Sequence, residues 1–143
     1  MINLDSNKVL SGTDGVTYIN GVILSELTGT EIKVTGKFED VNVCGELSTS
    51  HKFVGYSVEG TIKLQKITSR GMRLVAAAYQ TGVMPDIKII TSLTNKATGQ
   101  SERTSISDVV ITEFMLAHFE AKKLAEETLP IKASTYEVLE MLS

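Results

Sequence analysis

From Val54 to Leu64 the apolar residues fall on every second position, a spacing that no helix can use. Val54, Tyr56, Val58, Ile62 and Leu64 alternate with Gly55, Ser57, Glu59, Thr61, Lys63 and Gln65. Period two places the two sets on opposite faces of a strand. The alternation lasts about twice as long as an ordinary strand of roughly 5–6 residues. At Thr68-Ser69 the period changes. Ser69 suits an N-cap, Met72, Val75, Ala76 and Tyr79 follow helical spacing, and Gly82 with Pro85 closes the segment, so a helix is expected over about 69–81. Met72, Val75, Ala76 and Tyr79 form the stripe expected to pack on a sheet. Leu74, Ala77 and Ala78 make the opposite face apolar too. That fits either deeper burial or a surface for a neighbouring subunit.

The rest of the chain reads mainly as β-structure. Val16–Ile19, Asn20-Gly21 and Val22–Leu24 form a hairpin signal, because a two-residue type I′ turn needs positive φ at both positions. Ile32, Val34, Gly36 and Phe38 mark a strand, with Lys33, Thr35 and Lys37 on its other face. The apolar phase then moves to Val41 and Val43, which implies a turn or bulge after Asp40. Residues 44–52 read as a long polar loop, and residues 1–12 as an extended arm without periodicity. A strand over 86–94, with Ile87, Ile89 and Leu93 inward, is followed by a turn at 95–100 and a returning strand over about 103–112. Composition favours helix for 113–127, a weak prior. Leu129, Ile131 and Ala133 alternate with Pro130, Lys132 and Ser134; the proline restricts this strand to a sheet edge or its own start.

The totals exclude several classes. A chain of 143 residues with no linker or repeat is expected to be one domain, 1–143. Its net charge of −3 argues against a reader that grips phosphates with clustered Lys and Arg. It leaves room for a protein past which nucleic acid slides. A single cysteine, Cys44, permits no intramolecular disulfide. The N-terminus lacks a signal-peptide pattern, and no apolar run approaches the roughly 20 residues of a membrane helix, so no membrane anchor is expected.

No catalytic motif is present: there is no phosphate loop, no GxSxG and no HExxH. Cys44 and His51 share a polar loop, without the spacing of a metal site or a supporting third group. Glu39-Asp40 and Glu126-Glu127 are adjacent carboxylates. Neighbours on a strand face opposite ways, so they are read as solvated charge rather than an acid/base pair. No catalytic, cofactor-binding or metal-ligating residue is therefore expected. The polar rows Lys33, Thr35, Lys37 and Ser57, Glu59, Thr61, Lys63, Gln65 fit a solvent-facing sheet or the wall of a wet channel. Long strands with open edges are a liability in a monomer, and closing them with neighbours into a barrel removes it.

Four stretches resemble the tail tube protein of contractile-tailed phages, in the branch of Gram-positive phages, defective prophages and phage-tail-like bacteriocins. They are SGTDGVTYINGV at 11–22; VNVCG at 41–45 followed by His51-Lys52; EGTIKLQKITSRGMRLV at 59–75; and TGQSERTSISDVVI at 98–111 with EETLPIKAS at 126–134. They cover most of the chain in order, and their specificity lies in that order and spacing.

The resemblance implies a mainly β fold of two packed antiparallel sheets, a barrel-like sandwich with one flanking α-helix. It implies strand rather than helix over 113–127. It implies hexameric rings whose inner strands join into a barrel, and rings stacked into a tube within a sheath. Partners would be further copies of the chain, the sheath, a baseplate or initiator and a tape-measure protein. DNA would be transient, non-specific cargo, and the location a virion or phage-tail-like particle. The polar rows above are then candidate lumen residues. Lys33, Lys37 and Lys63 require acids such as Glu39 and Glu59 beside them, giving a mixed-charge wall. Contacts between subunits or rings are expected from Asn7, Val9 and Leu10 in the arm, from Cys44, Glu46, Leu47 and His51 in the 44–52 loop, and from Leu74, Ala77 and Ala78. The alternatives are the tube protein of a contractile secretion system and a monomeric β-sandwich binding module. The module should expose aromatic side chains; this chain has no Trp, 4 Tyr and 4 Phe.

Overall fold

The computed structural model describes residues 5–143. The part of the expected arm before residue 5 lies outside them. Seven strands and one helix follow in the order β1 (Gly15–Ile19), β2 (Val22–Ile23), β3 (Leu27–Val41), β4 (Ser50–Gln65), α1 (Arg70–Thr81), β5 (Ile89–Thr94), β6 (Ser101–Ile111) and β7 (Glu126–Glu140). The expected mainly β fold with a flanking helix is observed. The sheet differs from the expected pair: all strands join one antiparallel sheet in the order β2-β1-β5-β6-β7-β4-β3. The sheet folds over on itself. Thr17 on β1 and Thr30 on β3, far apart in strand order, share a hydroxyl hydrogen bond of 2.8 Å. One core lies between the two halves, built from Ile19, Val58, Ile62, Leu64, Ile106, Val109, Leu129 and Ile131. Continuity comes from β6 and β7, which are long enough to pair on both sides.

The local signals explain these elements. Asn20 and Gly21 have φ of 51° and 82°, and Ile19 pairs with Val22, as a type I′ hairpin requires. Gly82 takes φ 78° and its N–H bonds Ala78 O, which stops α1. Ser69 occupies the N-cap but makes no capping bond. The buried Glu127 replaces it: its Oε1 accepts the Gly71 N–H at 3.1 Å. The buried face of the helix is rotated from the expected stripe. Gly71, Val75 and Ala78 are buried and Leu74 packs on the core, while Met72 and Ala76 are half-buried. Tyr79 sits at the rim, where its hydroxyl donates to Ile111 O and its ring meets Phe114 edge-on at 5.4 Å. Of the two readings of Leu74, Ala77 and Ala78, deeper burial describes Ala78 and in part Leu74, while Ala77 is exposed.

Four further boundaries move. The expected 44–52 loop is shorter, because Ser50, His51 and Lys52 already pair in β4 with Val41, Asp40 and Glu39. The phase slip after Asp40 is met by the turn that ends β3, while the bulges lie elsewhere: Thr28 is extra in β3, and Lys37 pairs Gly55 and Phe38 pairs Phe53, leaving Val54 extra in β4. Residues 112–125 are neither helix nor strand but an irregular loop. Pro130 lies within the central β7, near its start, at the end of its pairing with β6. The described part of the arm forms two 3-10 turns, Ser6–Lys8 and Gly12–Asp14, and Asn95 Nδ2 donates to Asn7 O at 2.9 Å.

Candidate functional site

Strand alternation sorts β4 into two surfaces. Val58, Ile62 and Leu64 enter the core, so Ser57, Glu59, Thr61, Lys63 and Gln65 share the opposite face. The ladder extends that face sideways. Thr35 stands opposite Ser57, Lys33 opposite Glu59, and Glu59 opposite Lys132 on β7. One row therefore reads Lys33, Glu59, Lys132 across three strands, with alternating sign. Opposed residues lie about 4.5–5.5 Å apart, so each lysine has an acid within screening reach. Glu31 and Thr61 form the next row and Gly29 and Lys63 the one after it. Lys37 lies further out, opposite Gly55. The candidate lumen residues thus share one continuous polar face, pointing away from the core.

The upper half of β4 leaves the sheet. Its pairing with β7 begins at Val58, so residues 50–57 pair with β3 alone and form a two-stranded ribbon. On the ribbon the core-facing phase continues without a core. Phe38 is 60% exposed and Phe53 53% exposed, their rings edge-on at 5.6 Å. Tyr56 meets Tyr136 of β7 edge-on at 5.3 Å. Tyr56 continues the phase that buries Val58, Ile62 and Leu64, yet Tyr56 and Val34 stay exposed. Nothing in a local pattern marks where the partner strand departs.

The expected contact residues scatter over the described surface. Asn7 and Val9 are exposed and Leu10 half-buried beside the β5–β6 turn. Cys44, Glu46 and Leu47 are exposed in the ribbon's end loop, 42–49. His51 Nδ1 lies 2.9 Å from Asp40 Oδ1 on the ribbon's edge. Among the described residues no group of His, Cys, Asp or Glu is arranged to hold a metal ion, and no helix is long and apolar enough to cross a membrane.

Two buried carboxylates escaped the sequence reading. Glu127 is 1% exposed, not solvated as its place beside Glu126 implied, and Lys66 Nζ stands 3.8 Å from it. Glu26 is held by Arg70, with Nε to Oε1 at 2.6 Å and Nη2 to Oε2 at 3.3 Å. The Arg70 guanidinium lowers the Glu26 pKa below the ordinary carboxylate range, against the opposing effect of burial. Both pairs fix the start of α1. An open cleft of about 760 Å³ lies between β3 and the β1–β5–β6 half. Its hydroxyls bond one another, Thr17 to Thr30 and Thr91 to Thr104, rather than converging on a guest.

Solved structures with the same fold include tail and injection-system assemblies. The cap of the anti-feeding prophage, a tube terminating cap, superposes with TM-score 0.78 at 12% identity, covering 98% of this chain and 97% of that one. The sheath–tube complex of an extracellular contractile injection system (PVC, extended state) gives 0.77 at 10% identity, covering 95% of each chain. The tail of an empty gene transfer agent particle, refined with C6 symmetry, gives 0.54 at 11% identity, covering 94% of this chain and all of that one. No curated protein sequence matches. A family model described as phage tail tube protein matches residues 2–142, nearly the whole chain, and the chain therefore belongs to the phage tail tube protein family.

Proposed function

We propose that this chain is the subunit of the inner tube of a contractile phage tail or phage-tail-like particle, acting as structure rather than as a catalyst. Six copies form a ring, and rings stack into a hollow tube that conducts DNA or is driven through a cell envelope. One observation carries the ring. β3 is an edge strand of 15 residues, bonded on one side only by β4. A free edge of that length templates association, and a closed barrel of six copies satisfies it. The C6 tail among the structures of the same fold supports six as the number. The polar face with its Lys33–Glu59–Lys132 row then lines the lumen, where alternating sign keeps phosphate from being held. A sheath outside, an initiator at the baseplate and a tape-measure protein inside complete the assembly.

Negative-stain electron microscopy of the purified protein, with its mass in solution, tests this reading. Rings or tubes with six-fold symmetry are expected, alone or on addition of the particle's baseplate. A strict monomer in both conditions, and absence of the chain from contractile particles of the source, would end it in favour of a monomeric binding module.

A further inference from the structure

Among the apolar features that the described surface leaves exposed, two that carry aromatic rings lie at opposite ends of the molecule. The first is the ribbon face around Phe38, Phe53 and Tyr56. The second is the irregular loop 112–125, where Leu116 is 76%, Phe119 83% and Leu124 85% exposed. The loop is tied to the far end of β4, since Lys66 N–H donates to Ala125 O at 2.9 Å. Phe53 lies 13 residues before Lys66 in the chain, roughly 40 Å along an extended strand. One copy cannot fold its loop back over its own ribbon across that distance. Exposed aromatic and aliphatic side chains in such number mark contact surfaces. Two unlike surfaces at opposite poles are what a head-to-tail contact requires, because a two-fold contact would use one patch twice.

Charge does not oppose the match: neither surface carries a large excess of one sign. The ribbon end carries Glu39, Asp40 and Glu46 against Lys37 and Lys52, and the loop carries Lys122 and Lys123 against Glu113 and Glu120. Lys123 is paired with Glu120 at 2.7 Å, and Lys122 has no ion-pair partner among the described residues.

We propose that the 112–125 loop of one copy docks on the apolar face of the β3–β4 ribbon of a second copy in the adjacent ring, with Phe119 against the Phe38–Phe53–Tyr56 cluster. The docking joins rings; it rests on the tube reading and is separate from edge pairing within a ring. It also accounts for a loop with helix-favouring residues that forms no helix in a single copy: its apolar side chains are matched only in the stack.

Site-directed cross-linking within assembled tubes tests the proposal. In a Cys44→Ser background, one chain carries Phe119→Cys and another Tyr56→Cys. Tubes grown from the mixture and treated with a short bis-maleimide should yield cross-linked dimers. Tubes of either variant alone should yield none. In parallel, Phe119→Glu and Phe53→Glu, both at exposed positions, should leave the fold and rings intact while reducing tube length at least tenfold. Tubes that give no mixed dimer, or that grow to full length with both glutamate variants, overturn the docking and leave the tube reading standing. A wild-type chain that forms no tubes with its baseplate overturns both.

Discussion

At the scale of single residues, the start of α1 shows how distant chemistry decides a local structure. A serine before a helical run ordinarily caps it, and Ser69 stands in the right place. Glu127, from the beginning of β7, takes the role instead, with Lys66 beside it. Sequence reading saw an adjacent pair, Glu126-Glu127, and assigned both to solvent. Strand alternation always sends one of such a pair inward, but the partners that make burial tolerable come from 56 and 61 residues away. Gly71 is fixed by the same contact: a Cβ there would lie 2.0 Å from Glu127 Oε1 and 2.9 Å from Leu129 Cδ2. Gly71→Ala is expected to cost about 1–3 kcal/mol as overpacking, read from the midpoint of chemical denaturation. An unchanged midpoint would show that α1 is not seated as described. Glu26 adds a pH dependence. Its folded pKa is depressed by Arg70, so its stabilisation is fully present above the ordinary carboxylate range and is lost as pH falls through the lowered value. Glu26→Gln should destabilise most near neutral pH, by less than the about 3–5 kcal/mol of a wholly buried pair because Arg70 is 24% exposed. The gap between variant and wild type should close on acidification; a gap constant with pH would remove this pair from the account.

At the scale of elements, β4 was the most legible part of the chain and also the most misleading. Its alternation located the strand, and Val58, Ile62 and Leu64 are buried as that phase requires. The same phase runs on through Tyr56, where β7 no longer accompanies it, so identical local pattern yields a core in one half and an open ribbon in the other. Residues 112–125 failed differently. Helical propensity and family likeness gave opposite expectations and neither holds, since the segment must reach from the end of β6 to the start of β7, and fixed ends outweigh a weak propensity. The difference between the halves of β4 has a dynamic consequence. Amides of 58–65 lie in a strand flanked on both sides, and those of 50–57 in a ribbon with little packed cover. Hydrogen exchange in the unassembled protein should be at least tenfold faster for 50–57 than for 58–65, because such segments open at low free energy. Tube assembly should slow the outer half selectively. Equal protection of both halves in the free subunit would mean that the ribbon is held by something other than neighbours.

At the scale of the whole molecule, the fold is one sheet closed over a core, with its polar side continuous across β3, β4 and β7 and its longest edge open. The expectation of two sheets came from the family resemblance, and the structure has one. Which strands are long enough to pair on both sides, as β6 and β7 are, is set by register and cannot be read from any one of them. Assembly fixes which way the polar face points. If it lines the lumen, six copies repeat the Lys33–Glu59–Lys132 row around the bore, and the glutamate at its centre is what separates two rings of lysine. Glu59→Lys would set three cations abreast in every subunit. It would change the charge of the bore by two units per copy without disturbing the buried face. Tubes of this variant should retain single-stranded DNA at low salt and release it as salt rises, the signature of phosphate contacts, whereas wild-type tubes should retain none. Retention is measured by sedimenting tubes with labelled oligonucleotide across a salt series. Capping the tube ends before the oligonucleotide is added should abolish retention if the site is internal. Retention that survives capping would place the polar face outside, toward the sheath, and would reassign the lumen to another surface of the subunit.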